Sequence, residues 1–148
     1  MTSALTVLID TDVFSALYVA PDNATKRGLP VSHWLEVLAG RHVVISFQTR
    51  AEVMSGLRAS NWSGRRINQA QEKLDSVQTV NVDEQVIEAF ATLTADCRGS
   101  GHGLHHKIHT ADRWVAASAI AKGFPLLAGD VIYSNAPGLT LLKAEWPG

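Results

Sequence analysis

The chain has 148 residues, of which 46% are hydrophobic and 18% are charged, a composition that predicts one folded domain and excludes an intrinsically disordered chain. Its 13 Lys and Arg and 14 Asp and Glu give a net charge of -1, which excludes nucleic-acid binding through bulk positive charge. A lone cysteine, apolar runs too short for a bilayer and the lack of a basic N-terminal stretch predict a cytoplasmic protein without a disulfide bond or a membrane span.

The first half of the sequence alternates predicted strands and helices. Residues 5–9 form a short apolar run that predicts a buried strand, and apolar residues at helical spacing follow over 13–18. Residues 21–28 are rich in turn-forming residues and predict a loop, after which a second helical pattern ends at Gly40. Residues 43–47 are uninterrupted and β-branched, which predicts a second strand covered on both faces.

The second half continues the alternation with longer helices. Thr49 is predicted to begin a helix that breaks at residues 60–64, and a more polar helix follows the break. A weak strand candidate over 77–82 precedes a helix capped by Asp83 and ended by Gly99. The remaining predicted elements are a Gly- and His-rich loop over 99–109, a helix from Thr110 to Gly123, a strand over 124–128 and a last strand over 139–142.

This order of elements predicts an α/β fold, with one domain over residues 1–148. Its central sheet is expected to be mostly parallel, to contain four to five strands and to be flanked by helices. Ligands of such sheets bind at the carboxyl ends of the strands, so residues that follow strands are the first candidates for a functional site.

Four carboxylates are predicted to meet at that edge of the sheet. Asp10 directly follows the first strand, and Asp130 follows the strand over 124–128. Glu52 and Asp112 lie in the first turns of helices next to strands, where the helix dipole favours negative charge. Two like charges about 4 Å apart repel by roughly 4 kcal/mol at an effective dielectric constant of 20, so the cluster requires a cation. Hard oxygen ligands with open positions select Mg²⁺ or Mn²⁺.

Some of these acids also have a purely structural interpretation. Thr49 and Glu52 form a capping-box pattern, in which the glutamate only bonds to the N-cap amide. Asp112 lies two residues after Thr110, a candidate cap, and is then a favourable charge in the first helical turn. Asp12 is interpreted as the N-cap of the first helix, with support of the metal ligands as the alternative.

Five segments, taken in order and spacing, form a pattern more specific than any single motif. They are Leu8-Ile-Asp10-Thr-Asp12, Thr49-Arg-Ala-Glu52, Asp112-Arg-Trp-Val-Ala-Ala-Ser-Ala119, Leu126-Leu-Ala-Gly-Asp130 and Pro137-Gly-Leu-Thr-Leu141. This pattern resembles the PIN-domain family and, more narrowly, the VapC toxins of bacterial VapBC toxin–antitoxin pairs. The resemblance extends over residues 5–142, nearly the whole chain, and implies the three-layer PIN-like fold.

The resemblance implies a Mg²⁺- or Mn²⁺-dependent endoribonuclease that cleaves structured RNA such as transfer or ribosomal RNA. Asp10 and Asp112 would bind the metal directly, and Asp130 and Glu52 would complete the acidic site. Metals in such sites activate water and neutralise the charge that develops on the phosphodiester. The resemblance also implies a growth-inhibiting toxin that forms a homodimer and is silenced by a cognate VapB-like antitoxin.

The sequence departs from the family pattern near the last acid. Family members commonly carry Thr or Ser two residues before it, where this chain has Ala128. We predict that Thr11 supplies the missing hydroxyl. A further polar residue, often seen a few positions after the last acid, is represented here by Asn135 or Ser134.

Two groups of basic residues are candidate RNA contacts. Arg50 and Arg113 each lie beside a predicted site acid, where they would steer the scissile phosphate or pair with a neighbouring carboxylate. The second group surrounds the break over 60–64, where basic and aromatic side chains can hold an RNA backbone and stack a base. The aromatic residue of this group has two other interpretations, as a cover of the core and as part of a groove for an antitoxin helix. The group consists of Arg58, Trp62, Arg65 and Arg66.

The loop over 99–109 contains an unusual concentration of histidines. A zinc site is not expected there, because no cysteine accompanies the histidines and their spacing fits no closed zinc pattern. We predict a solvated loop, with phosphate contacts by its histidines and Lys107 as the alternative. The histidines are His102, His105, His106 and His109.

Two other functional classes compete with the ribonuclease. Asp10-Thr-Asp12 after an apolar strand resembles the nucleophile motif of haloacid-dehalogenase-type phosphatases, in which Asp10 would be phosphorylated. The chain is short for that fold, and Glu52 and Asp112 would have no role in it. The other class is a catalytically decayed module that binds RNA or protein, which the departure at Ala128 favours and the four intact acids oppose.

Overall fold

The computed structural model describes residues 5–142, and its centre is one parallel sheet. The strands are β1 (Thr6–Ile9), β2 (His42–Ser46), β3 (Gln78–Val80) and β4 (Leu126–Leu127), in the spatial order β3-β2-β1-β4. The predicted parallel α/β sheet is confirmed. The strand predicted over 139–142 is reduced to a single bridge between Leu126 and Leu141.

Helices cover both faces of the sheet. Within residues 5–142 they are α1 (Thr11–Phe14), continued by a π-helical turn (Ser15–Val19), α2 (Pro21–Lys26), α3 (Val31–Leu38), α4 (Phe47–Ala59), α5 (Gly64–Ser76), α6 (Glu84–Ser100) and α7 (Thr110–Lys122). None of them has the length and hydrophobicity needed to span a bilayer. Short 3₁₀ turns lie over Gly103–His105, Lys107–His109 and Val131–Tyr133.

The sheet separates two apolar cores because successive strand side chains point to opposite faces. Val7 and Ile9 of β1 pack into the layer formed by α1 to α5, whereas Leu8 packs against α6 and α7. All three side chains are fully buried. A strand covered on both faces explains why residues 5–9 are apolar without alternation.

The prediction of a loop over 21–28 is wrong, because α2 lies there. Pro21 occupies the first turn of α2, where its fixed φ suits a helix and its missing N–H costs no hydrogen bond. Ala24 is 3% exposed and packs in the core, which holds this short helix against the domain.

Two predicted helix starts are also corrected. The N-cap of α1 is Asp10 rather than Asp12, since a carboxylate oxygen of Asp10 accepts the Val13 N–H at 2.8 Å. Helix α4 begins at Phe47, where the Ser46 hydroxyl provides the cap. Thr49 therefore lies inside α4, and the capping box predicted for Thr49 and Glu52 is wrong.

The caps of the last two helices are partly as predicted. Asp83 caps α6 by accepting the Val86 N–H at 2.9 Å, as expected. Helix α6 ends at Gly101 rather than Gly99, with Gly101 in the left-handed conformation. Thr110 is the first residue of α7 rather than its cap, and its hydroxyl donates to the Lys107 carbonyl.

Candidate active site

Asp10 lies at the carboxyl end of β1 and is held on both sides by backbone amides. One carboxylate oxygen accepts the Val13 N–H at 2.8 Å, and the other accepts the Gly129 N–H at 3.0 Å. Asp10 is 2% exposed. Burial raises the pKa of this carboxyl to about 7, although the two amide hydrogen bonds oppose the shift. The charges of Asp12 and Asp130 add to the increase.

Gly129 is required by the close approach of this turn to α1 and α3. A Cβ atom at position 129 would lie 3.1 Å from the Asp12 Cβ and 3.4 Å from the Trp34 ring. A side chain there would push the turn away from Asp10 and lengthen the hydrogen bond from the Gly129 amide. The glycine two residues after β4 is therefore part of the support for Asp10.

Five carboxylates influence one another at this edge of the sheet. Partial shielding from solvent raises the pKa of Asp12, and three further acids raise it through their charges. The positive charge of Arg27 lowers the pKa of Asp12 and so opposes the effect of these acids. The five acids are Asp10, Asp12, Glu52, Asp112 and Asp130.

Asp112 is held by two side chains that lie outside the predicted acidic set. The Tyr133 hydroxyl donates to one of its carboxylate oxygens at 3.2 Å, and His109 Nδ1 lies 2.9 Å from the other. Tyr133 is 2% exposed. Burial and the nearby carboxylates raise the pKa of Tyr133, so its phenol keeps the proton that it donates to Asp112.

Glu52 and Asp130 are less buried than Asp10. Glu52 accepts a hydrogen bond from the Gln48 side chain at 3.0 Å, one helical turn earlier on α4. Asp130 is exposed and accepts the Ile132 N–H at 2.9 Å, which caps the 3₁₀ turn after β4. Both carboxylates retain oxygen lone pairs for a further ligand.

The donor set suits a divalent cation by charge and by ligand type. Across residues 5–142, no three His, Cys, Asp or Glu side chains converge within reach of a single metal ion. The fold thus brings the acids close enough to influence one another's pKa values, but they do not form a closed ligand cage. Mg²⁺ commonly keeps several waters and binds proteins through one or two carboxylates, and such a hydrated ion fits this arrangement.

The residues predicted to support the ligands occupy different positions. The Thr11 hydroxyl lies 2.9 Å from that of Thr49, which is fully buried, so this pair connects α1 to α4. Asp12 is exposed in the first turn of α1 and belongs to the charge cluster. Asn135 is exposed in a turn with φ 61°, a conformation that asparagine tolerates.

The structure agrees with the second role predicted for Arg50, pairing with a carboxylate, and corrects both roles predicted for Arg113. Arg50 donates to Asp75 on α5 at 2.7 Å, so it pairs with an acid outside the site. Arg113 is 6% exposed and donates to the backbone carbonyls of Leu104 and His106. Burial and these bonds leave Arg113 holding the histidine loop rather than contacting RNA.

The second basic group lies around the start of α5. The guanidinium carbon of Arg66 lies 3.4 Å from the centroid of the Trp62 ring, a cation–π contact. Trp62 is half-buried and packs against the core, as one of its predicted interpretations requires. Arg58 and Arg65 are exposed.

The loop that follows α6 is exposed to solvent over residues 106–108, in agreement with the prediction, and hydrogen bonds of its own side chains hold it to the domain. His102 Nδ1 accepts the Leu104 N–H at 3.1 Å, so its Nε2 carries the proton and donates to the Ser134 carbonyl at 2.8 Å. This bond connects the loop to the segment that carries Tyr133. Leu104 is fully buried beneath it.

We expect Arg113→Met to lower the free energy of unfolding by about 2–4 kcal/mol, because it leaves two loop carbonyls without their donor in a buried place. Chemical denaturation monitored by circular dichroism measures the change. Arg98→Met, at an exposed position on α6, is the matched control and is expected to change stability by less than about 0.5 kcal/mol. Equal stabilities of the two variants would contradict the anchoring role.

Sequence reasoning missed two residues that the structure brings to the acids. Arg27 lies at the end of α2, in a segment predicted to be a loop, and nothing in the local sequence indicates that it faces Asp12. Tyr133 follows the last acid by three residues and looks like an ordinary core aromatic. Only the folding of the 131–133 turn over α7 brings its hydroxyl to Asp112.

The fold and the site define a three-layer α/β domain with a cluster of carboxylates at the carboxyl edge of a parallel sheet. The family model of the PIN domain matches residues 7–139, and the chain therefore belongs to the PIN-domain family. The resemblance predicted from the five sequence segments is confirmed.

Within this family the chain is similar to proteins of toxin–antitoxin and plasmid-stability type. It is 28% identical to VapC ribonuclease Y4jK of Sinorhizobium fredii, over 95% of this chain and 99% of that protein. It is also 28% identical to the plasmid stability protein StbB of Pseudomonas syringae pv. tomato, over 93% of this chain and 96% of that protein.

Solved structures share the fold. A chain of VapBC2 from Rickettsia felis, bound to a DNA fragment from its promoter, is similar with a TM-score of 0.71 at 19% identity, over 93% of this chain and 98% of that chain. A chain of FitAcB from Neisseria gonorrhoeae is similar with a TM-score of 0.66 at 23% identity, over 93% and 97% of the two chains.

Proposed function

We propose that this protein is a divalent-metal-dependent endoribonuclease that cleaves structured RNA, such as transfer or ribosomal RNA. The observation that carries the proposal is the group of five carboxylates at the carboxyl edge of the sheet, which includes the buried Asp10. Such a concentration of negative charge destabilises the fold unless a cation binds there. The similarity to a VapC ribonuclease over nearly the full length of both chains supports the same activity.

The residues have distinct roles in the proposed reaction. Asp10 and Asp112 would hold Mg²⁺ or Mn²⁺ directly, and Asp130 and Glu52 would complete the acidic site by holding waters bound to the ion. The ion would supply activation of water and neutralisation of charge on the phosphodiester. The backbone amides of Val13 and Gly129 fix the orientation of Asp10.

Asp112 has its own support in this reaction. Tyr133 and His109 hold its two carboxylate oxygens, so the carboxylate is oriented before any ligand binds. Such orientation lowers the entropic cost of binding the ion and the phosphodiester.

We further propose that the protein is the growth-inhibiting toxin of a pair, acting in the cytoplasm as a homodimer with a VapB-like antitoxin as its partner. Support comes from solved structures that share its fold, among them VapBC assemblies from Rickettsia felis and Salmonella typhimurium bound to DNA. Co-expression with a neighbouring small gene product and co-purification of the two would test the partnership.

The geometry of Asp10 does not favour the phosphatase alternative. A nucleophilic carboxylate requires an oxygen that can reach the phosphorus of a substrate. Both oxygens of Asp10 accept backbone N–H groups, and the residue is 2% exposed. The carboxylate is better placed to attract a cation than to attack a phosphate.

The proposed activity is tested by incubating the purified protein with total bacterial RNA and Mg²⁺ or Mn²⁺, beside a sample with chelator. We expect discrete RNA fragments only when the cation is present, and their new ends identify the target. Cleavage that persists in chelator would contradict metal dependence. Absence of cleavage by folded, antitoxin-free protein would favour the non-catalytic binding module.

A further inference from the structure

A groove opens beside the acidic site between α1, α2 and the turn after β4. Its volume is about 270 Å³, just below the roughly 300–1,000 Å³ of pockets for drug-sized ligands. A site of this size accommodates one nucleobase rather than a longer segment. Polar and aromatic residues line it, among them Asp12, Ser15, Asn23, Arg27, Trp34 and Gly129.

From this groove we infer a subsite for the nucleotide that flanks the scissile phosphate in a single-stranded part of the RNA. The inference rests on the proposed ribonuclease function and adds the residues that hold the substrate. Asp12 and Gly129 belong both to the groove and to the acidic site, so the two are continuous.

Arg27 is the cation of this subsite. Its positive charge lowers the pKa of Asp12, which the neighbouring acids raise. Its guanidinium makes no hydrogen bond or ion pair within residues 5–142. It is exposed, and its planar donors match the oxygens of a phosphate. Arg50 and Arg113, the arginines next to the acids in sequence, are occupied by Asp75 and by loop carbonyls.

The rest of the groove suits a base rather than a second phosphate. The Asn23 amide provides a donor and an acceptor, and the Ser15 hydroxyl provides both as well, so the pair can bond to the edge of a base. Trp34, which is 6% exposed, contributes an aromatic part of the wall next to Gly129. An apolar wall with a few polar groups is the usual composition of a small-ligand site.

The test measures RNA binding in the Asp10→Asn background, so that the probe is not cleaved. The probes are fluorescein-labelled 12-mers of adenylate, cytidylate and uridylate, titrated by fluorescence anisotropy at several KCl concentrations. We expect Arg27→Gln to weaken binding about tenfold at low salt and to reduce the slope of log affinity against log salt by about 0.7, the value for one single-strand phosphate contact. Asn23→Ala is expected to leave the slope unchanged and to alter the ratio of the three affinities several-fold.

Lys26→Gln is the matched control, because it removes the same charge one residue away and outside the groove. We expect it to change the slope by less than half as much as Arg27→Gln. Equal effects of the two variants, or none from either, would overturn the subsite, and a uniform loss from Asn23→Ala would overturn base recognition. If the Asp10→Asn protein bound none of the 12-mers, the subsite would be wrong, while cleavage of total RNA would decide the proposed function separately.

Discussion

Asp10→Asn is expected to reduce RNA cleavage by at least roughly a thousandfold and, at the same time, to stabilise the fold at pH 8. The loss of activity follows because the substitution removes a full negative charge from the centre of the proposed metal site. Removing charge stabilisation of several kcal/mol corresponds to three or more powers of ten in rate. Appearance of new RNA ends, measured at saturating Mn²⁺, gives the activity.

The gain in stability has a definite sign and pH range. The pKa of Asp10 is about 7 in the folded protein against 3.8 for a free side chain. The folded protein therefore holds a proton that the unfolded chain loses, and its free energy of unfolding falls as the pH rises from about 4 to 7. The full penalty, about 4 kcal/mol at most, is present above pH 7 in the absence of divalent cations.

Asparagine does not titrate, so the variant avoids this penalty. Its side-chain oxygen can still cap α1, but its amide cannot accept the Gly129 N–H, which costs about 1 kcal/mol. We expect a net stabilisation of about 1–3 kcal/mol at pH 8 and none at pH 4, measured by chemical denaturation in chelator. Asp96→Asn, an exposed acid on α6, is the control and is expected to change neither activity nor stability.

A destabilised but active Asp10→Asn protein would contradict both parts of this prediction. An inactive variant that is also less stable at pH 8 would indicate a structural role as the cap of α1 alone. The two measurements together therefore separate a buried charge kept for function from a helix cap.

Mn²⁺ affinity is expected to fall roughly tenfold when the pH is lowered from 8 to 6. At pH 8 Asp10, with its pKa of about 7, is mostly ionised, whereas at pH 6 a proton must leave before the cation binds. Asp12, whose pKa is also raised by partial shielding from solvent and by its acidic neighbours, acts in the same direction. Isothermal titration calorimetry at the two pH values gives the affinities.

The Asp10→Asn variant is the control for the source of this pH dependence. We expect it to bind Mn²⁺ more weakly at both pH values and to lose most of the difference between them. A rise of the unfolding temperature on addition of Mn²⁺ at pH 8 is expected for the natural sequence and is expected to be much smaller for the variant. Affinity that is independent of pH in the natural sequence would place the cation away from Asp10.

The apolar pattern of the chain is sufficient to predict the parallel sheet and to place Asp10 and Asp130 after its strands. Residues 5–9 and 43–47 are apolar without alternation because both faces of their strands are covered, and that pattern is visible without any structure. Asp10 was predicted to be the first acid of the site because it comes directly after such a strand. The five segments of the family pattern were equally available, since they depend on order and spacing alone.

The residue types around each predicted helix start were insufficient to identify the N-cap residues of α1 and α4. Thr49 and Glu52 have the spacing of a capping box, but the Ser46 hydroxyl already provides the cap three residues before the residue at which that helix was expected to begin. Asp12 is a favourable cap by residue type, as is Asp10, and the turn after β1 selects Asp10. Where two nearby residues are both suitable N-caps, the end of the preceding strand decides which of them caps the helix.

Which polar side chains meet at the site depends on how distant segments of the chain pack together. Arg113 is adjacent to Asp112 in sequence, yet its place on α7 turns it inward to loop carbonyls, because a buried guanidinium must satisfy its donors. Arg27 reaches Asp12 from the end of α2, and Tyr133 reaches Asp112 from the turn after β4, 21 residues further along the chain. No local pattern encodes such contacts. Strand ends are set by the apolar pattern of the chain, whereas contacts between side chains from distant segments are set by how the layers pack.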